Sequence, residues 1–171
     1  MHKATAMQIM YDFCQWANNT PFSVALREST LAFPFIEGTH LLAIGVSAGT
    51  IAFTDLRLLG VLMKKEPASK VMSSLLPFTI AGFIIVFITG LLLFWAEPAK
   101  SYRNMWFRWK LTLLIVAGLN ALIFHLTVYR RMDQWDLDAI APRSARLAGA
   151  ISLAVWATVI WLGRQFAYNQ V

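Results

Sequence analysis

Charge is scarce in this sequence: 14% of its 171 residues are Asp, Glu, Lys or Arg, against 58% hydrophobic. A soluble domain carries about 25% charged residues, so a water-exposed surface cannot be built from this composition. Cysteine is limited to Cys14, which excludes an internal disulfide and a cysteine-based zinc site. No glycine-rich phosphate loop, nucleophile elbow, H-E-x-x-H pair or paired catalytic carboxylates occur. A soluble basic patch with interleaved stacking aromatics is missing too, which leaves nucleic acid out as a partner. The net charge of +6 instead suits anionic lipid head groups. Residues 1–30 lack the uninterrupted apolar core of a cleavable signal, so the first span is expected to act as its own insertion signal.

What is present is apolar and bunched. The mean hydropathy is +0.57, and the apolar residues fall into runs of about 20, the length that crosses ~30 Å of hydrocarbon. Four spans follow: Leu31–Leu58, Leu75–Trp95, Met105–Tyr129 and Ala145–Leu162. Pro34 either starts or kinks the first span. Ahead of them, Ala6, Met7, Met10, Phe13, Cys14 and Ala17 recur at helical spacing opposite Gln8, Asp12 and Gln15. That pattern predicts an amphipathic helix over 4–18, too polar to span and suited to the membrane interface. Thr20 and Pro21 fit the N-cap and first position of a short helix, Pro21 to Ser29. The expected fold is all-α: a four-helix transmembrane bundle over 30–171, preceded by interfacial helices over 1–29. Gly45, Gly49, Gly82, Gly90, Gly118 and Gly149 are expected to carry the close helix contacts.

The spans contain ionisable groups, each costly at membrane depth unless paired or wetted. Depth matching along ideal helices sorts them into two layers. The outer layer holds Glu37, His40, Arg108 and Lys110; the inner holds Asp55, Arg57, Asn120, His125 and Arg130. Glu37 is expected to face Lys110 or Arg108, since each charge lowers the cost of the other. Two in-span histidines on separate helices are the usual means of holding haem b, which makes His40 and His125 candidate axial ligands. Register works against a shared iron: the two lie roughly 15 Å apart in depth on ideal helices. Met1, His2, Met7, Met10, Cys14, His40 and Met105 form a soft set suited to Cu(I). The amphipathic stripe already accounts for Met7, Met10 and Cys14 without a metal.

Glu37-x-x-His40, Asp55-Leu56-Arg57-Leu58-Leu59-Gly60, Phe107-x-x-Lys110 and Asn120-x-x-x-x-His125 resemble an uncharacterised family of bacterial four-helix inner-membrane proteins. The resemblance covers about residues 30–130, and D-L-R-L-L-G is its most distinctive phrase. It implies a bacterial inner-membrane location and supplies no activity. A His early in one span and a His late in another is also similar to the CopD-type copper-resistance membrane domain and to small membrane b-type cytochromes.

The functional expectation is an integral membrane protein of unknown activity. Its sharpest form is a haem b electron-transfer protein, or the membrane subunit of a redox complex with a redox partner protein. The alternative is a non-enzymatic accessory subunit beside other membrane subunits, or a metal or small-solute transport component, oligomeric if it lines a path. Arg57, Lys64, Lys65, Lys70, Arg130, Arg131, Arg143 and Arg146 gather on the side of the first and third connections. The other side carries Lys3, Arg27, Lys100, Arg103 and Arg164 once Arg108 and Lys110 are assigned to the third span. The positive-inside rule then puts both termini outside, in the periplasm of a Gram-negative cell. Reporter fusions at Gln15 and Asn169 should therefore give one sign and a fusion at Ala68 the opposite sign; disagreement between the first two would break the four-span count.

Overall fold

A computed structural model describes residues 2–169. They form seven α-helices: α1 (His2–Asn18), α2 (Pro21–Glu28), α3 (Ala32–Leu58), α4 (Ala68–Ala96), α5 (Pro98–Arg103), α6 (Met105–Thr127) and α7 (Arg143–Tyr168). A 3-10 turn, Tyr129–Gln134, follows α6. Helices α3, α4, α6 and α7 are long and apolar enough to cross a membrane, so the expected four-helix transmembrane bundle is what the chain forms. It is built as two helical hairpins. α3 packs along α4, α6 packs along α7, and the hairpins meet where α3 lies on α7.

Local chemistry sets the helix ends. Pro34 sits in the first turn of α3, where backbone N–H groups have no intrahelical partner, so it begins the helix and does not kink it. Gly60 ends α3 in the left-handed region at φ 71°. Its N–H reaches Arg57 O at 3.0 Å and that of Val61 reaches Leu56 O at 2.9 Å, the paired bonds of a Schellman end. Thr20 caps α2 through a 3.3 Å bond from Ser23 N, as its sequence predicts. Asn104 Oδ1 caps α6, accepting from Trp106 N and Phe107 N at 2.9 and 3.3 Å.

Two expectations are corrected. The segment 99–103, expected as a loop, is most of helix α5, because Pro98 is pre-set for a first helical position. α4 begins at Ala68, seven residues before the expected Leu75. Its first turn has no local side-chain cap; Asp136, from the distant α6–α7 connection, supplies one. The Asp136 carboxylate accepts from Ser69 N and Ser69 Oγ, each at 2.7 Å, and Ala68 N donates to Asp136 O at 3.1 Å. Pro77, expected near the helix start, lies well inside it.

Packing in the spans relies on small residues, since lipid gives helices no hydrophobic drive to associate. Gly82 of α4 lies on α3: a Cβ there would sit 3.3 Å from Ala43 O and collide with Ser47 Oγ. Gly149 of α7 would meet Asp55 O at 3.2 Å. Gly90 faces His40, whereas Gly45, Gly49 and Gly118 have nothing within 4 Å of a Cβ, so half of the expected glycine contacts are not made among the described residues. At the opposite end from α1, Leu58, Ala68, Phe124, Met132, Trp135, Ala141 and Ala145 form a compact apolar plug.

Helix α1 has two faces. Cys14 and Ala17 are buried where the helix packs on α5 and α2, while Met7, Ile9, Met10, Phe13 and Trp16 are exposed. An exposed apolar stripe beside a buried one suits a helix held on the bundle and laid against lipid. Met10 and Cys14 lie one turn apart, Cys14 buried and Met10 exposed.

The cap on α4 yields a stability prediction. Bonds from Ser69 hold the Asp136 carboxyl below its ordinary value, so its contribution is full above the ordinary carboxylate range and fades as pH falls below it. Asp136→Ala should cost about 1 kcal/mol, the typical loss of an N-cap. Thermal melting in detergent should show that deficit at pH 7 and show it shrinking below about pH 4.

Candidate functional site

His40 is the in-span histidine that the bundle organises. It lies on α3, two turns from the helix start, and its Nδ1 is 2.8 Å from Thr89 Oγ1 of α4. Thr89 Oγ1 also lies 2.6 Å from Ile85 O. Two oxygens approach that closely only with a hydrogen between them, so the threonine proton is committed to Ile85. The ring must then donate from Nδ1 to Thr89. A second partner fixing the ring tautomer in this way is what orients a binding imidazole. The ring also makes a hydrogen bond with the Val86 backbone of α4.

Lys110 of α6 stands at the same level as His40. No carboxylate pairs with it among the described residues. The ion pairs there are Lys70–Glu66 at 2.7 Å and Lys100–Glu97 at 2.8 Å, both outside the spans. Both site side chains are seated on glycines. A Cβ at Gly90 of α4 would lie 3.2 Å from His40 Cε1, and one at Gly163 of α7 would lie 3.6 Å from Lys110 Nζ. All four spanning helices therefore contribute to one level: His40, Thr89 with Gly90, Lys110 and Gly163.

Aromatic layers bracket that level. One turn towards the α1 end, Phe94 stacks on Phe107 with centroids 5.9 Å apart, and Phe107 meets Phe166 at 5.5 Å. Each is three or four residues from Gly90, Lys110 or Gly163, hence on the same face of its helix. Two turns the other way, Phe83 meets Trp156 at 5.4 Å. The polar level is thus closed from the membrane surface by phenylalanines and from the bilayer centre by a Phe–Trp pair.

The remaining outer-layer residues do not join it. Glu37 and Arg108 are exposed, and Glu37 makes no ion pair with Lys110 or Arg108. Their helical phase turns them to the outside of the bundle, which depth matching alone does not register.

The inner-layer residues serve different tasks. Arg57 is buried at 1% exposure and donates from Nε to Glu66 O at 2.9 Å and from Nη2 to Asp138 O at 3.1 Å. It therefore ties the α3–α4 connection to the α6–α7 connection. Asp55, 5% exposed, lies in the α3–α7 seam with Ser152 facing it. Asp55 Oδ2, Arg57 Nη1 and Trp135 Nε1 are buried without a hydrogen-bond partner among the described residues. Asn120 donates to Ala148 O at 3.0 Å and so fastens α6 to α7. Arg130 is exposed. His125 is exposed too, bonded to Ala121 O at 2.9 Å and stacked on Tyr129 at 5.2 Å.

His40 and His125 are not brought together. His40 is level with Lys110, and His125 lies fifteen residues further along α6, about 22 Å at 1.5 Å per residue. Sequence reasoning passed over Thr89 and Gly163. Thr89 carried a signal, since Thr79 and Thr89 are the hydroxyls in the otherwise apolar run 75–95. Gly163 carried none, because its role depends on where the Lys110 side chain ends.

No curated protein and no solved structure matches the chain. The model of a family of unknown function (DUF6644) matches residues 13–169. That match covers the D-L-R-L-L-G phrase, the His40 level and all four spans, and the protein belongs to this family.

Proposed function

We propose that the protein is a non-enzymatic accessory subunit of the bacterial inner membrane, with both termini periplasmic, that assembles with a second copy of itself along α3. One observation carries this reading. Gly38, Gly45 and Gly49 fall along one stripe of α3, and a Cβ at any of them would meet nothing within 4 Å. The buried side of α3 is used elsewhere, through Ala43, Ser47, Ala48 and Asp55. Lipid tails gain little from an open glycine groove, whereas a neighbouring helix can approach it closely. A small-x-x-x-small step is complementary to itself across a two-fold axis, and copies inserted the same way present it in parallel. A partner chain of another sequence would need its own matching stripe.

Haem b on a His40–His125 pair draws no support from residues about 22 Å apart in depth. Purified protein is therefore expected to lack a reduced b-type absorbance band after haem-supplemented expression. A band abolished by either histidine substitution would restore the electron-transfer reading.

The assembly itself is tested by cross-linking. In a Cys14→Ser background, Gly45→Cys and Gly49→Cys should each form a disulfide-linked dimer in native membranes, and Gly118→Cys on α6 should not. Gly45→Leu should shift the protein from dimer to monomer in native mass spectrometry while leaving its melting behaviour unchanged. Monomeric wild-type protein, or equal cross-linking at Gly118→Cys, would overturn the α3 dimer.

A further inference from the structure

Where α6 ends and α7 begins, the chain encloses a cavity of about 600 Å³. Arg130, Arg131, Gln134, Trp135 and Ser144 supply its polar wall, and none of the described residues lining it is acidic. Successive residues of a helix point about 100° apart, yet both arginines line this one cavity. The backbone leaves helical geometry at Arg131 (φ −109°, ψ 19°), and Met132 and Trp135 fix the turn in the apolar plug. Neither guanidinium has an ion pair among the described residues, where the pairs are Lys70–Glu66 and Lys100–Glu97. Ser144 brings in the start of α7, a helix of 26 residues with no side-chain cap. Its leading N–H groups and positive dipole end therefore border the same space. Trp135 is 7% exposed, and its indole N–H has no hydrogen-bond partner among the described residues. A buried donor without an acceptor is costly, and an anion seated in the cavity supplies the acceptor that this wall lacks. The face below selects a lipid over a soluble anion. Leu126 lines the cavity, and Leu122 lies one turn deeper on the same face of α6. Leu147 follows Ser144 by three residues on α7. All three leucines are exposed, which makes an apolar track from the cavity into the bilayer.

We infer that this cavity is a binding site for the phosphate of an anionic phospholipid, held at the membrane surface between α6 and α7. Arg130 and Arg131 donate to the phosphate oxygens, Trp135 Nε1 adds a buried donor, and the start of α7 meets the same charge. The acyl chains follow Leu122, Leu126 and Leu147 into the hydrocarbon. A zwitterionic lipid brings its own cation beside the two guanidinium groups and so loses part of that attraction. The site is built by α6 and α7 and does not rest on the α3 dimer.

The test is native mass spectrometry of the full-length protein in detergent, titrated with phosphatidylglycerol and with phosphatidylcholine of the same acyl chains. Phosphatidylglycerol should bind the tighter of the two. Arg130→Gln and Arg131→Gln should each weaken it about fivefold, the worth of one basic residue at a membrane surface. Trp135→Phe keeps the ring in the plug, removes the N–H, and should weaken it about tenfold. Lys64→Gln with Lys65→Gln, on the same side but outside the cavity, should leave it unchanged. Melting curves identify any variant that fails to fold, and the two exposed arginines carry the test should Trp135→Phe do so. Equal binding of the two lipids would overturn the anionic assignment. A loss in the Lys64 and Lys65 variant as large as in the arginine variants would reduce the effect to general surface charge and overturn the site. Displacement of the lipid by inorganic phosphate, but not by chloride of equal ionic strength, would give the cavity to a soluble anion and overturn the lipid.

Discussion

Arg57 is the side chain on which the arrangement of the two hairpins depends. Each hairpin holds itself: α3 with α4 by glycine contact, α6 with α7 by Asn120 and small residues. Nothing apolar in a bilayer drives one hairpin onto the other. The guanidinium supplies a directional link, donating to a carbonyl from each connection. It can do so because Gly60 turns the chain back immediately after α3, bringing Glu66 within reach of the helix that has just ended. Asp136 adds the reciprocal link by capping α4. The phrase D-L-R-L-L-G is thereby explained as one device: Asp55 at the α7 seam, Arg57 across the connections, Gly60 for the turn.

The two ends of the bundle solve the same problem differently. Near the connections, buried polar atoms are bonded largely to backbone carbonyls and N–H groups, which is the chemistry of a cap. Near α1, α2 and α5, the polar level is assembled from side chains. A histidine is oriented by a threonine, a lysine rests over a glycine, and phenylalanines lie between them and the surface. Ser23 and Arg27 of α2 donate to Ala96 O at 3.1 Å each, so the short helices also finish the carbonyl end of α4.

The fold was legible because its signals are local. Run length gave the four spans, Thr20-Pro21 the start of α2, and Pro34 the start of α3. The errors arose where a distant residue intervened. Helix α4 gains its first two turns from Asp136, 67 residues beyond Ser69, and no window around Ala68 contains that carboxylate. The site was legible in part. His40 and Lys110 were recognised as level from helix rise alone. Glu37 and Arg108 were grouped with them because depth was considered without helical phase.

Composition and periodicity by themselves determined that this chain spans a membrane four times as helices, since a lipid interior admits backbone only when its hydrogen bonds are closed within each segment. They also determined which ionisable groups would be costly there. Only the tertiary structure decided which of those groups face one another. Rotation of a helix about its axis is nearly free of local constraint and is set by the small residues it meets: Gly82 on α3, Gly90 under His40, Gly149 on Asp55, Gly163 under Lys110. Those contacts turn His40 and Lys110 inward, leave Glu37, Arg108 and His125 outside, and so separate a site from a set of polar residues at similar depth.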